Sequence, residues 1–261
     1  MPRISLIIPA YNEENYLPAL LDSVDAARQR YEAGADQVEV IVADNSSTDH
    51  TARIARARGC VVTEVQKRTI GAARNGGTRI AKGEILAFID ADSTIHPDTF
   101  NVIDRTMVSG RYVAGGTGAW FSRMSPGIFA TMALGMILMV LANLEIGVIF
   151  CRRADFEEIG GYSEDLLCAE DVELLVGLKK LGRPRGERFA RPRGARAITS
   201  ARKFDRHGDW HYFTLGPVTG LYSLLFDRPA LERQIGRDMI QEYWYDDRQP
   251  ANISPLNTGS A

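Results

Sequence analysis

The sequence predicts an α/β protein whose mostly parallel sheet is covered by helices on both faces. Within residues 1–100, apolar runs of strand length alternate with segments of helical periodicity, and the runs are apolar on consecutive positions. Such strands are typical of parallel sheets that are buried on both faces. The chain has 261 residues, of which 45% are hydrophobic and 25% are charged, so it can bury a large core.

The repeating unit is a strand followed by a helix. The first unit is ISLIIPA followed by NEENYLPALLDSVDAARQRY, whose apolar residues recur with a helical period. The second is VEVIVAD followed by SSTDHTARIARARG, which starts with Ser/Thr/Asp and ends at Gly59. The third is CVVTEV followed by IGAARNGGTRIAKG, and EILAFIDAD is the fourth strand. In such sheets ligands bind at the carboxyl ends of the strands.

The pattern is looser after Pro97. DTFNVIDRTMV is predicted to form a helix, YVAGGTGAWF a strand, and GVIFCRR a short strand that leads into the helix ADFEEIG. EDVELLVGLKKLG is amphipathic and ends in lysines and a glycine, which predicts another helix. Residues 246–261 are predicted to be a disordered tail.

Charge, cysteine content and the first loop exclude several classes of protein. Lys and Arg number 31 against 33 Asp and Glu, which does not indicate a nucleic-acid partner. Three cysteines without a CxxC pair favour a reducing compartment over a disulfide framework or a cysteine zinc site. PAYNEEN contains no glycine, so a dinucleotide-binding loop is not expected. The short apolar run at the N-terminus predicts a cytoplasmic protein.

Residues 126–144 form an uncharged apolar segment of 19 residues. Its length fits a membrane span, but its glycines, Thr131 and Asn143 weaken that interpretation. The alternatives are a buried helix and a helix that lies in the membrane surface. We favour contact with lipid.

Two aspartates, Asp90 and Asp92, follow the fourth strand. Two carboxylates with nothing between them repel each other, and a divalent cation such as Mg²⁺ or Mn²⁺ removes that repulsion. The alternative is that Asp92 or Ser93 caps the helix that follows Pro97. The spacing alone does not separate the two interpretations.

A second acidic pair, Glu170 and Asp171, begins an amphipathic helix. Acids at a helix N-terminus are ordinary partners of the helix dipole. A carboxylate that is ionised and within reach of a substrate hydroxyl would instead act as a general base. Both interpretations stay open on spacing alone.

A basic region extends from Arg183 to Arg206. Its arginines and lysines would form a solvated face, or would bind a pyrophosphate or an anionic membrane surface. Arg202, Lys203 and His207 lie together near its end, and His207 is a candidate contact for a metal or a phosphate.

Taken together, four segments resemble the family 2 glycosyltransferases, in the order in which that family has them. The segments are SLIIPAYNEENYLPALLDSV, EVIVADNSSTDHT, IGAARNGGTRIAKGEILAFIDADS and GVIFCRRADFEEIGGYSEDLLCAEDVELLVGLKKLG. They cover about residues 4–100 and 147–182. The resemblance implies a GT-A fold and inverting transfer of a sugar from a nucleotide donor. The QxxRW motif of processive members is not matched, because QIGRD lacks the tryptophan, so a single transfer is expected.

The resemblance also implies roles for individual residues. The residues expected to bind the nucleotide sugar are Pro9, Ala10, Tyr11, Glu13, Asp44, Gly71, Arg74, Asp90, Arg202 and Lys203. Asp92 is the expected metal ligand, with Asp90 and His207 as further candidates, and the metal would be Mn²⁺ or Mg²⁺. Asp171 is the expected catalytic base, with Glu170 as its neighbour. Uridine is the base that the family's habit suggests.

The resemblance implies one GT-A domain over residues 1–245. Residues 1–100 would bind the nucleotide sugar and residues 101–245 would form the acceptor side, including the apolar segment 126–144. The acceptor would be a sugar or a lipid-linked group, with peripheral membrane contact through 126–144 and the basic residues 183–206. The alternatives are a metal-dependent sugar-phosphate nucleotidyltransferase and a non-catalytic nucleotide-sugar-binding protein.

Overall fold

The computed structural model describes residues 1–166 and 170–214. The predicted end of the domain at residue 245 and the predicted tail 246–261 lie outside these residues. Within them the chain forms a seven-stranded sheet and a three-stranded sheet, with helices packed around the larger one. The predicted α/β class is confirmed.

The predicted segments lie close to observed strands and helices, and the structure adds short elements that the sequence did not predict. The strands are β1 (Ile4–Ala10), β2 (Val38–Asp44), β3 (Val61–Glu64), β4 (Ile85–Phe88), β5 (Ser93–Thr94), β6 (Tyr112–Gly116), β7 (Ala119–Phe121), β8 (Ile149–Arg152), β9 (Arg188–Ala190) and β10 (Ala197–Thr199). The α-helices are α1 (Leu17–Gln29), α2 (Thr51–Ala57), α3 (Ile70–Ile80), α4 (Thr99–Val108), α5 (Pro126–Ala142), α6 (Arg153–Glu158), α7 (Glu170–Gly182), α8 (Arg202–His207) and α9 (His211–Thr214). Short 3₁₀ helices occupy Ala35–Gln37 and Arg183–Arg185.

The large sheet has the strand order β3-β2-β1-β4-β8-β6-β9. Its first four strands are parallel, as predicted, while β8 runs antiparallel to both β4 and β6. Because β1, β2 and β4 are parallel, their carboxyl ends meet at one edge of the sheet. That edge carries the residues that follow each strand, which is where the sequence predicts the functional site.

Successive residues of β1 pack on opposite faces of the sheet. Ile8 belongs to a buried cluster with Leu20 of α1 and Phe100 of α4, whereas Ile7 belongs to a cluster with Leu175 of α7. This is why apolar residues occupy consecutive positions of the strand, from Leu6 to Ile8, rather than every second one. Each large side chain buried in this way contributes about 1.5–3 kcal/mol to folding.

The segment YVAGGTGAWF is not one strand, as the sequence suggested, but two. β6 belongs to the large sheet and β7 to the small one, and the chain turns between them at Gly118, which has a φ of +81°. The small sheet has the order β5-β10-β7, so it joins the segment after Asp92 to the end of the basic region. Periodicity could not locate this turn, because both halves have strand-like composition.

The apolar segment forms helix α5. Ser125 caps it by accepting a hydrogen bond from the Ile128 amide at 3.2 Å, and Asn143 ends it with a φ of +50°. Only Gly127 and Ile128 of its residues are fully buried, so the buried-helix interpretation is wrong. Among the described residues, no helix is long and apolar enough to cross a membrane.

Helix α3 lies close to the sheet because glycines face it. A Cβ at Gly77 would lie 2.6 Å from Cγ2 of Ile7 and 3.5 Å from Cβ of Ala43. We expect Gly77→Ala to lower the free energy of unfolding by about 1–2 kcal/mol, since overpacking outweighs the gain in helix propensity.

The matched control for Gly77→Ala is Gly135→Ala in α5, where a Cβ would have no neighbour within 4 Å. This change should raise the free energy of unfolding by about 0.5–1 kcal/mol, because alanine is the better helix former. Urea denaturation of the two variants measures both effects. A Gly77→Ala protein at least as stable as the unmodified chain would contradict the packing argument.

Candidate active site

A narrow cleft of about 20 Å³ lies at the carboxyl edge of the sheet. The predicted residues that line it are Pro9, Ala10, Tyr11, Glu13, Asp90, Asp92 and Arg202. They come from the end of β1, from the loops after β1 and β4, and from the start of α8. The structure therefore brings together residues that are up to 193 positions apart in the chain, counted from Pro9 to Arg202.

Arg202 spans this cleft. Its two terminal nitrogens each donate to one carboxylate oxygen of Glu13, at 2.8 Å, and its Nε lies 3.0 Å from Oδ2 of Asp92. Its guanidinium also lies over the ring of Tyr16, 4.9 Å from the centroid. Glu13 is buried, and a planar guanidinium is the group that satisfies a buried carboxylate at two points. Arg202 thus holds both sides of the cleft together.

The floor of the cleft continues to the end of β2. Asp44 is buried there, and its Oδ1 accepts a hydrogen bond from the Ser47 amide at 3.3 Å. Tyr11 is covered by the guanidinium of Arg68, 4.1 Å from its ring centroid. Asn45 donates to the carbonyl oxygens of Val65 and Lys67, at 2.9 and 2.8 Å. These contacts fix the loop after β2 against the end of β3.

A second cluster of charges surrounds Arg74, whose side chain is only 4% exposed. Its Nη1 donates to Oδ1 of Asp171 at 2.7 Å and to Oε1 of Glu170 at 3.0 Å. Its Nη2 donates to Oδ1 of Asp90 at 2.8 Å. One buried guanidinium therefore joins the acidic pair of α7 to the first aspartate after β4. The sequence predicts Arg74 near a nucleotide, whereas the contacts here make it the link between the two acidic pairs.

Asp171 has an unusual electrostatic environment. Burial is the largest cause that raises its pKa, which is about 7. The positive charge of Arg74 lowers this pKa, whereas the negative charges of Glu170 and Asp90 raise it. Its side chain is still 29% exposed to solvent. A carboxylate with a pKa near neutrality is suited to general base catalysis.

Tyr162 is a residue of this site that the sequence analysis did not identify. Its hydroxyl donates to Oδ1 of Asp171 at 3.2 Å, and the guanidinium of Arg74 lies 5.0 Å from its ring centroid. Burial raises the pKa of Tyr162 well above its ordinary value, so the hydroxyl keeps its proton and acts as a donor. An available signal was the position of this tyrosine directly after Gly160 and Gly161, ahead of the acidic pair.

Gly71 allows the start of α3 to approach the loop that contains Tyr162. A Cβ at this position would overlap the carbonyl oxygen of Ser163. Thr69 caps the helix by accepting from the Ala72 amide at 3.2 Å, and its hydroxyl also donates to the carbonyl oxygen of Glu164 at 3.1 Å. Gly71 therefore positions Arg74, one helical turn further on, against Tyr162 and Asp171.

Lys203 and His207 lie on α8 beyond Arg202. Burial lowers the pKa of His211, and the charges of His207 and Lys203 lower it further, which places both near that ring. The His207 and His211 ring centroids are 5.7 Å apart. Within the described residues no group of three or more histidine, cysteine, aspartate or glutamate side chains is arranged to hold a metal ion, so His207 does not form one with the two aspartates. Its contact with a metal or phosphate stays a prediction.

Asp90 and Asp92 have the donor atoms that a hard divalent cation requires. Mg²⁺ and similar ions are commonly held by one or two carboxylates together with substrate phosphates, so two aspartates are a sufficient set. The Asp90 side chain is 54% exposed and that of Asp92 is 13% exposed. Each carboxylate contacts a different arginine, and the Nε of Arg202 would have to share or leave Oδ2 of Asp92 if an ion bound there.

The fold is shared with solved sugar-transferring proteins of the GT-A class. The chain superposes on the mannosyltransferase PcManGT from Pyrobaculum calidifontis, in complex with GDP-Man and Mn²⁺, with a TM-score of 0.66 and 20% identity over 92% of this chain and 69% of the other. It superposes on the glucosyl-3-phosphoglycerate synthase of Mycobacterium tuberculosis, in complex with Mn²⁺, UDP and phosphoglyceric acid, with a TM-score of 0.58 and 21% identity, over 85% and 78% of the two chains. The fold, with Asp90 and Asp92 at the carboxyl edge of its sheet, defines a protein of the GT-A class.

Residues 5–137, about half of the chain, match the model of glycosyl transferase family 2, and the chain belongs to this family. It is 29% identical over 189 residues to the glycosyltransferase AglE of Haloferax volcanii, a match that covers 66% of this chain and 60% of AglE. The chain spans only 30–60% of the lengths of three curated relatives that it matches. The family resemblance seen in the sequence is confirmed.

Proposed function

We propose that the protein transfers a single sugar from a nucleoside diphosphate sugar, with UDP as the expected nucleotide, to an acceptor hydroxyl with inversion at the anomeric carbon. The observation that carries the proposal is the position of Asp171. It is a partly exposed carboxylate with a pKa of about 7, and Arg74 joins it to Asp90, beside which the family resemblance places the donor.

Asp171 would take the proton of the acceptor hydroxyl. The hydroxyl oxygen then forms a bond to the anomeric carbon while the bond from that carbon to the diphosphate breaks on the opposite face, so one displacement inverts the configuration. Tyr162 and Arg74 hold Asp171 in place, and both donate to its Oδ1. Oδ2 has no part in those two hydrogen bonds, and we assign it the role of base.

The leaving diphosphate needs positive charge. Arg202 contacts Asp92 at the mouth of the cleft, and we assign it to the diphosphate. We assign a divalent cation, Mn²⁺ or Mg²⁺, to Asp92 with Asp90, where it would neutralise the charge that develops on the leaving group. Two relatives of the same fold were solved with Mn²⁺, which supports this assignment. Because Arg202 bridges Glu13 and Asp92 across the cleft, we expect donor binding to displace it from one of these carboxylates.

The measurement that tests the donor site is calorimetric titration with UDP, GDP and dTDP, each with and without Mn²⁺. We expect one of them to bind more tightly with Mn²⁺ and Asp92→Asn to lose that metal-dependent increase, because an amide carries no charge to hold the cation. Asp98→Asn, a change at a carboxylate outside the cleft, is the matched control. Equal, metal-dependent affinity in Asp92→Asn and the unmodified chain would remove Asp92 from the metal site.

Three activity and binding assays of the same protein distinguish the proposed transferase from its alternatives. Slow, metal-dependent hydrolysis of a nucleotide sugar without acceptor supports the transferase. Release of pyrophosphate from a nucleoside triphosphate and a sugar phosphate would show a nucleotidyltransferase. Binding of the nucleotide sugar without turnover in either assay would show a non-catalytic binding protein.

We propose that α5 brings the protein to a membrane that carries a lipid-linked acceptor. Phe129, Ile137 and Leu141 of this helix are more than half exposed, in a segment without charge. Exposed apolar side chains on a helix of this length are suited to insertion between lipid headgroups. The acceptor side of the proposed domain would then face the membrane, while residues 1–100 bind the donor.

Sedimentation with phospholipid vesicles tests the membrane contact. Ile137→Asp combined with Leu141→Asp should weaken vesicle binding by more than about tenfold, because each buried side chain contributes about 1.5–3 kcal/mol. Val108→Asp, which changes an exposed valine on α4, is the control and should leave vesicle binding unchanged. If both variants bind vesicles as the unmodified protein does, α5 is not the contact.

A further inference from the structure

A second cavity, of about 610 Å³, lies outside the candidate active site, between the loop that joins β9 to β10 and the chain after α5. Its polar lining consists of His96, Thr117, Glu145, Arg191, Arg193 and Arg196, and we call it the arginine cleft. Ala197 donates to the Gly118 carbonyl at one end of β10, and Ser200 donates to the Asp92 carbonyl at the other. The two sites are thus separated by a strand on the order of 10 Å long.

The arginine cleft carries an excess of positive charge. Arg191 lies 3.2 Å from Glu145, the carboxylate of the lining. Arg193 and Arg196 make no ion pair with any carboxylate in the described part of the chain. Three guanidinium groups and one carboxylate leave a net formal charge of two positive units in the lining. A bound anion would be attracted by both of these charges.

The positions of two arginines are fixed before any ligand binds. Arg191 is held by Glu145, and the guanidinium of Arg196 lies 5.0 Å from the ring centroid of Trp120. The stem of Arg196 passes over Gly118, where a Cβ would lie 3.3 Å from its Cγ. Holding a flexible side chain in place lowers the entropy lost on binding.

His96 adds a hydrogen-bond donor to the cleft. Its Nδ1 accepts a hydrogen bond from the Asp98 amide at 3.1 Å, so the neutral ring carries its proton on Nε2. The lining therefore combines guanidinium groups with an imidazole donor, and its carboxylate is already engaged by Arg191.

We propose that the arginine cleft binds a phosphate group, from either a lipid headgroup or a soluble phosphorylated compound. Guanidinium groups bind phosphate oxygens through paired hydrogen bonds, which suits three arginines around one cavity. The exposed side chains of Trp120 and Ile198, which lie opposite each other in the small sheet, offer an apolar surface beside it for a ligand with a hydrocarbon part. The proposal does not depend on sugar transfer.

The first test is titration of the full chain with inorganic phosphate while the histidine ring signals are followed by NMR. The chain has four histidines, so His96→Gln identifies the signal from the cleft. We expect a saturable shift of that signal, and at least about tenfold weaker binding after combined Arg193→Gln and Arg196→Gln. Arg56→Gln, at an exposed arginine of α2 outside the cleft, is the control and should change the affinity less than about twofold.

The second test identifies the source of the phosphate. Vesicles of phosphatidylcholine, with and without phosphatidic acid, are sedimented with the same variants. Vesicle binding that requires phosphatidic acid and the two arginines assigns the site to a lipid headgroup. A response to inorganic phosphate, with vesicle binding that depends neither on phosphatidic acid nor on the two arginines, assigns it to a soluble compound. The proposal is overturned if neither experiment shows binding that depends on Arg193 and Arg196, or if Arg56→Gln loses as much binding as the double variant. Unchanged thermal midpoints show that the variants are folded.

Discussion

Replacing Asp171 by asparagine is expected to lower the rate of sugar transfer by about 10²–10⁴ while donor binding is kept. The amide has the shape of the carboxylate and can still accept from Arg74 and Tyr162, but it cannot take a proton from the acceptor. The change should therefore lower kcat and leave the affinity for the nucleoside diphosphate within about twofold. Initial rates with a nucleotide sugar and acceptor, together with calorimetric titration, measure the two effects.

The pH dependence of kcat/KM and of stability provides a second test of the role of Asp171. A base with a pKa of about 7 is ionised above that value, so kcat/KM should rise with pH up to about 7 and then level off. The folded chain binds this proton more tightly than the unfolded chain, whose aspartate titrates near 3.8, so stability should fall as pH rises from about 4 to 7. Asp171→Asn should remove that contribution to the slope.

Asp36→Asn is a suitable control, because this aspartate lies in a surface 3₁₀ helix away from the cleft. It should change neither rate nor pH profile. If Asp171→Asn retains more than about a tenth of the transfer rate, the base lies elsewhere, and Glu170 is the next residue to replace.

The largest effect on stability is expected from Arg74→Met. Methionine fills much of the volume but leaves Asp90, Glu170 and Asp171 without the guanidinium that joins them. Breaking a buried ion pair by removing one partner costs about 3–5 kcal/mol, since the remaining charge is uncompensated. Urea denaturation at neutral pH measures the loss.

The cost of Arg74→Met should become smaller in acid. Without the guanidinium the pKa of Asp171 rises further, so protonation as the pH falls relieves the repulsion in the folded variant. Combining Arg74→Met with Asp171→Asn should recover part of the stability, because one of the three charges is gone. Arg79→Met, at an exposed arginine on the same helix that pairs with Glu164, should cost less than about 1 kcal/mol. Equal losses in the two methionine variants would contradict a central role for Arg74.

The two aspartates after β4 show how much of the candidate site a local sequence pattern can predict. Asp90 and Asp92 could be placed at the end of a strand because apolar runs and helical periodicity are local properties of the chain. The family resemblance, and not the spacing, made Asp92 the expected metal ligand with Asp90 as a further candidate. In the structure the two carboxylates contact different arginines, Arg74 and Arg202. Their shared role as metal ligands stays a proposal, as do the roles assigned to the other site residues.

By itself the sequence determined the alternation of strands and helices, the parallel sheet and the family, because these follow from local periodicity and from motifs in a fixed order. Only the tertiary structure decided which charges meet. Arg74 lies 97 positions from Asp171, and Arg202 lies 189 positions from Glu13. The tertiary structure also decided that few residues of α5 are fully buried and that Arg191, Arg193 and Arg196 line a cavity. Such pairings depend on how whole elements pack, and a buried carboxylate selects its partner by proximity and desolvation, which no local pattern encodes.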